Sequence, residues 1–360
     1  MINQDYEYVR ERWMQFWTME NHDRPLISVC APKDGAVYTP IKTPELLLDR
    51  WTDMDSIIAG AREWMKNTYY GGEAFPAVFP NLGPDLLGAI CGCGIEFGED
   101  TSWAIHVVKD WESYPPIVFD PENHWWRQIY DMTKRLVEDA QGDYLVGITD
   151  LHPGTDGLVS LRGPQELCLD LIDCPEQIAP RSRQIFEVYK AVYSRLAALI
   201  APCQEGSTNW MNIWHPEADW YVVSSDFSCL VGKEQYEEFI AGAIEEEIAF
   251  LHGSMYHLDG VGALHHLDRI LRLKGLDGVQ WVQGEGAPPA REWLEVYRKI
   301  QAAGKRIQAI CEPADIEPLC RELDPEGVHL TCYAASEEDA RELLEIARKA
   351  SAAHRRKAVF

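Results

Sequence analysis

Residues 255–286 read MYHLDGVGALHHLDRILRLKGLDGVQWVQGEG, and this stretch decides the fold. A short apolar run ends in His257 and Asp259, and Gly260 and Gly262 let the backbone turn. Leu264, Leu267, Ile270 and Leu271 then recur near helical spacing, and Gly275 stops the helix as a C-cap glycine would. A second strand, 278–282, carries Gln280 and Trp281 and leads into Gln283 and Glu285. The unit is strand–helix–strand with polar residues at the carboxyl ends of both strands, where parallel α/β folds bind their ligands. Taken singly, His257 also reads as a core histidine and Asp259 as a helix cap.

The same alternation extends in both directions. A strand over 144–149 runs into Asp150 and His152, and extended segments over 208–214 and 221–226 end at His215 and at Ser225-Asp226. Helical stripes fill the intervals, notably 175–200 and 233–252, where the Glu245-Glu246-Glu247 run reads as a solvated face. Strands at 306–311 and 328–332 and a final helix from Ser336 complete the order. Strands alternating with helices and lacking hairpin signals predict a parallel sheet. With nine candidate strands and no G-x-G-x-x-G after the first, the expectation is a single (β/α)8 TIM barrel with a helical N-terminal extension. No linker-like stretch interrupts the chain, so all 360 residues are read as one domain, with residues 1–75 holding the extension and the first strand.

Composition narrows the function classes. The formal net charge of −25 argues against a nucleic-acid or anionic-membrane partner. No run of about 18 apolar residues exists to cross a bilayer. Ten scattered cysteines without a leader pattern predict reduced thiols and a cytoplasmic protein. Cys91 and Cys93 have C-x-C spacing but no second pair nearby, so they are expected to bind no metal.

Three segments, taken in order, resemble the uroporphyrinogen decarboxylase superfamily. They are R-x-R-W-x-x-F-W at 10–17 with Asp23-Arg24-Pro25, then Ser225-Asp226-Phe227-Ser228 with the helix after it, then Tyr256-His257-Leu258-Asp259-Gly260. That group also contains cobalamin-dependent methyltransferases acting on methanol, methylamines and methoxylated compounds. The basic R-Q-A-G-R-Y motif of the decarboxylases is absent; residues 29–38 hold one lysine and no arginine. The resemblance therefore implies the methyltransferase branch, which binds zinc through His-x-Cys and a distant cysteine on the last strand. His257 matches that histidine and Cys332 the distant cysteine, while Asp259 stands where the nearer cysteine would be. Carboxylate oxygen is an ordinary zinc ligand, so His257, Asp259 and Cys332 form the expected metal set.

The resemblance further implies a small O- or N-methylated substrate and a separate corrinoid protein carrying cobalamin. His257, Asp259 and Asp226 are the expected catalytic residues. Asp150, His152, Gln280 and Glu285 are expected to orient the substrate, with Trp214 and Trp281 as its walls. A homodimer is compatible with this reading. Two alternatives stay open: a metal-free decarboxylase or lyase acting on a small acid, and a binding protein whose catalytic set has drifted.

Overall fold

The computed structural model describes residues 6–358; residues 4 and 5, included in the expected first helix, lie outside them. Hydrogen bonding orders a seven-stranded sheet as β2-β1-β11-β10-β9-β8-β7. The strands are β1 (Leu26–Pro32), β2 (Thr68–Gly72), β7 (Trp220–Ser224), β8 (Gly253–Asp259), β9 (Gly278–Val282), β10 (Arg306–Cys311) and β11 (Val328–Tyr333). Strands β7 to β11 and β1 run parallel, each joined to the next through helical segments. Strand β2 pairs antiparallel with β1 at the edge. Apart from the sheet, β3 (Ala77–Val78) pairs parallel with β6 (Leu145–Val146). The α/β class and the parallel sheet match the expectation, but the sheet is not closed.

Sequence and structure part where local signals were weak. The segment 208–214 is not a strand. It makes a single parallel bridge, Asn209 to Ile148, and then turns. The Asn209 side chain accepts from the Met211 backbone, and Asn212 takes a positive φ of 54°. The glycine- and proline-rich stretch 75–98 reads from sequence as a pocket-lining loop, but its end forms β4 (Gly94–Phe97), which pairs antiparallel with β5 (Ser102–Ile105). The helix expected over 233–252 contains a π turn, Tyr236–Ile240, between α-helical ends. Its three consecutive glutamates cannot share one face at about 100° per residue. Glu246 is exposed and pairs with Arg183, whereas Glu247, on the side of Ile244 and Ile248, is buried.

The motif at 10–17 closes the amino-terminal end of the sheet. The first helix, Tyr6–Thr18, buries Trp13, Phe16 and Trp17. The Trp13 ring meets His329 near the start of β11 at 4.6 Å, and Trp17 meets Trp220 at the start of β7 at 5.5 Å. Arg12 and Arg24 converge on Glu73, which is fully buried and also accepts from the Ile27 backbone at 2.7 Å. Arg12 and Arg24 are thus consumed in holding the helix to β1, while Arg10 pairs with Glu205.

All ten cysteines are free, and among the described residues no helix is long and apolar enough to cross a membrane. Cys91 and Cys93 are both buried, and burial pushes the Cys93 thiol up to about 12 and Cys91 higher still. Alkylation of the native protein should therefore reach exposed Cys203 first and leave Cys91, Cys93 and Cys311 unmodified until it unfolds. Mass-spectrometric mapping checks this; prompt labelling of Cys91 in native protein would refute it.

Candidate metal and acid–base site

The carboxyl ends of β6, β7 and β8 bring the site together. Strand register sets which side chains meet. Ser224 pairs with His257, His257 with Gln280, and Gln280 with Gln308, so one row of side chains crosses β7, β8, β9 and β10 on a single face. Asp259 lies two residues beyond His257, on the same face, because strand side chains alternate with period two. Gly260, at φ +75°, then turns the chain and donates its backbone N–H to the Val282 carbonyl at 2.8 Å.

Asp226, the first residue after Ser225 at the end of β7, stands with these two. Ligand atoms of Asp226, His257 and Asp259 all lie within 4.8 Å of one another. Asp259 does not cap the next helix, whose cap residue is Ala263 and whose first turn receives no side-chain cap bond. Burial and then the neighbouring Asp226 hold the Asp259 carboxyl above its usual range, against the pull of His257. Two carboxylates this close repel, and a cation between them relieves the repulsion.

A second cluster adjoins the first. The His152 Nε2 meets Asp150 Oδ1 at 2.7 Å, and its Nδ1 meets Ser224 Oγ at 2.8 Å. Asp156 accepts from the backbone N–H groups of Asp226 and Phe227 at 2.9 and 3.0 Å, which fixes where Asp226 begins its turn. Burial opposes a charge on His152, but Asp150, with Asp226 and Asp156 behind it, outweighs burial and pushes its pKa up to about 10. Burial and then Asp226 push Asp156 upward. Buried Glu247 lies well above its usual range for the same reason, burial first and Asp156 next.

Asp150, His152 and Ser224 have the composition of a nucleophilic triad. At neutral pH, however, the imidazolium donates on both sides, so Ser224 accepts and its proton has no base. The group His152 offers is an acid. Its raised pKa sits above the unfolded value near 6.5, so its contribution to stability is present below pH ~6.5 and lost as pH rises through about 10. NMR titration of His152 should show imidazolium at pH ~8. A neutral ring there would refute the assignment.

Three expected residues lie elsewhere. Cys332 is three strands from His257 in the sheet order, roughly 14 Å at ordinary strand spacing. It is also three residues past His329, which shares the row of Gln308, so it faces the opposite side, beside its register partner Cys311. Burial holds its thiol at about 12, and it does not join the metal set. Trp281, next to inward-facing Gln280, turns to the other face and packs against Trp293 at 5.2 Å. Trp214 lies at the amino-terminal end of the sheet, where its carbonyl accepts from Trp17 Nε1 at 2.7 Å. The aromatic wall is Trp210. Its ring stands edge-on to His257 at 5.1 Å and tilted to His152 at 6.2 Å. Glu285 is exposed in the turn beyond β9.

A cavity of about 1050 Å³ lies away from this site, beside β2 and the first helix. Four of its five cations face carboxylates, Arg24 with Glu73, Arg62 with Asp139, Lys66 with Glu63 and Arg348 with Glu345, and Lys33 donates to the Lys66 carbonyl.

No protein-family model matches the chain, and no curated protein is detectably similar to it.

Proposed function

We propose that the protein is a methyltransferase that moves a methyl group from a small O- or N-methyl compound to a corrinoid protein. The observation that carries this reading is the Asp226–His257–Asp259 set at the ends of adjacent parallel strands. These residues fit zinc. Carboxylate oxygen and imidazole nitrogen are ordinary ligands, and three protein ligands leave the fourth position open for substrate. Tetrahedral zinc at about 2.1 Å per bond holds its ligands about 3.4 Å apart, within reach of exposed Asp226 and Asp259 by side-chain rotation. Zinc bound there would polarise the oxygen or nitrogen that carries the methyl group. The corrinoid would supply the nucleophile that accepts it.

The chain's own residues supply the rest. His152, held as imidazolium, hands its Nδ1 proton to Ser224, whose hydroxyl passes its own proton to the departing oxygen or nitrogen. Trp210 walls the space between the two histidines. Exposed Tyr38, Leu230, Val261, Ile310 and Tyr333 sit at or beyond the carboxyl ends of β1, β7, β8, β10 and β11, and they suit a docking partner at that mouth. Parallel β7 to β11 neighbouring one another in chain order, with β1 next to β11, is the support for a (β/α)8 barrel as the scaffold, whose remaining wall would be built around the separate β3–β6 pair.

The test is methyl transfer to cob(I)alamin or a corrinoid protein, followed by absorbance, across methyl ethers and methylamines with zinc present. Methylation that requires both zinc and His257 is expected. A protein that methylates no corrinoid but decarboxylates a small acid without metal would replace this reading with the lyase, for which His152 is the acid already in place.

A further inference from the structure

The row of side chains through His257 continues past the metal set as a directed hydrogen-bond chain. His257 Nδ1 meets Gln280 Oε1; Gln280 Nε2 donates to Gln308 Oε1 at 2.8 Å; and Gln308 Nε2 donates to the Met211 carbonyl at 3.2 Å. Both glutamines are buried, 3% and 1% exposed, on neighbouring strands in one register. The chain ends in the turn that carries Trp210, and that turn is fixed by Asn209, which accepts from the Met211 N–H.

We infer that this chain fixes His257 as the Nδ1–H tautomer, leaving the Nε2 lone pair for a ligand, and that Gln280 and Gln308 are its positioning residues. The argument is one of direction. A backbone carbonyl only accepts, so Gln308 must turn its amide N–H₂ toward Met211 and its oxygen toward Gln280. Gln280 must then offer N–H₂ to that oxygen and its own oxygen to His257, which is left to donate from Nδ1. Reversing the histidine flips both amides in turn and ends with the Gln308 oxygen against the Met211 carbonyl, two acceptors in a buried space. An outer partner on the second ring nitrogen orients a metal-binding histidine and raises its basicity. The tautomer stands independently of the proposed function; only its use toward a metal rests on that reading.

The test is ¹⁵N NMR of the histidine side chains in metal-free, full-length protein in mildly alkaline buffer, with the His257 signals assigned by their loss in His257→Gln. A protonated Nδ1 and a bare Nε2 are expected. Gln280→Leu should give mixed tautomers and lower zinc affinity about 10- to 100-fold, and Gln280→Glu, which still accepts from Nδ1 though it no longer donates to Gln308, should restore the Nδ1–H tautomer. A purely structural role would shift thermal stability in these variants and leave the tautomer unchanged, which would overturn the inference. So would a protonated Nε2 in the parent, a result that needs no variant to fold. If the tautomer is as expected but the parent binds no zinc, the proposed function fails and the inference about the chain survives.

Discussion

Glu73→Leu is expected to cost about 3–5 kcal/mol of stability, because it takes from the buried Arg24 guanidinium its carboxylate partner and from Arg12 one of two. Glu73 is fully buried, and the side chains of Arg12 and Arg24 are 6% and 12% exposed. Burial works against the Arg24 charge, but Glu73 more than compensates and raises its pKa. The carboxylate also accepts from Ile27 N at 2.7 Å, and the Glu73 carbonyl accepts from Trp13 Nε1 at 3.1 Å. Removing the side chain leaves Arg24 with carbonyl acceptors but no carboxylate, Arg12 with Asp23 alone, and the Ile27 backbone N–H without its acceptor at the junction of the first helix and β1. Urea unfolding of parent and variant measures the difference. A loss below about 1 kcal/mol would mean that the arginines find other partners or water.

Asp259→Asn is expected to abolish high-affinity zinc binding and methyl transfer while leaving the thermal midpoint unchanged or slightly higher. The substitution is nearly isosteric, and in metal-free protein it removes a carboxylate that burial and Asp226 already disfavour. Any bound zinc loses a charged ligand, and affinity should fall at least about 100-fold, beyond the usual effect of an outer-sphere change. Since Asp259 caps no helix, folding has little to lose. Zinc content and melting temperature, measured side by side, decide the matter; a variant with full metal and full turnover would remove Asp259 from the site.

How much of this was legible depended on how local each signal was. His257, Asp259 and Asp226 could be found because each stands at a strand end followed by a turn, and period-two alternation keeps His257 and Asp259 on one face. The same alternation argued against Trp281, which cannot face inward beside Gln280, and that arithmetic was available from sequence. Cys332 rested on resemblance alone, and strand parity, visible only once the register with β10 was known, turns it away. Trp214 was chosen for lying near the end of an extended run. The run instead turns at Asn209, so Trp210 faces the histidines and Trp214 goes to the opposite end of the sheet.

Other features had no local signal. Glu73 meets Arg12 across 61 residues, and Gln308 reaches Met211 across 97, distances that no periodicity encodes. Strand β2 is only TYYGG, too short for a periodic pattern, and pairs antiparallel with β1. Glu247 was hidden in a run of charge whose other two members do face water or salt bridges.

Calorimetric titration of the metal-free protein with zinc, run beside His257→Ala, tests the central claim most directly. A single tight site per chain in the parent, absent from the variant, is the result predicted by a metal held between Asp226, His257 and Asp259. No binding by the parent, or equal binding by both proteins, would contradict it.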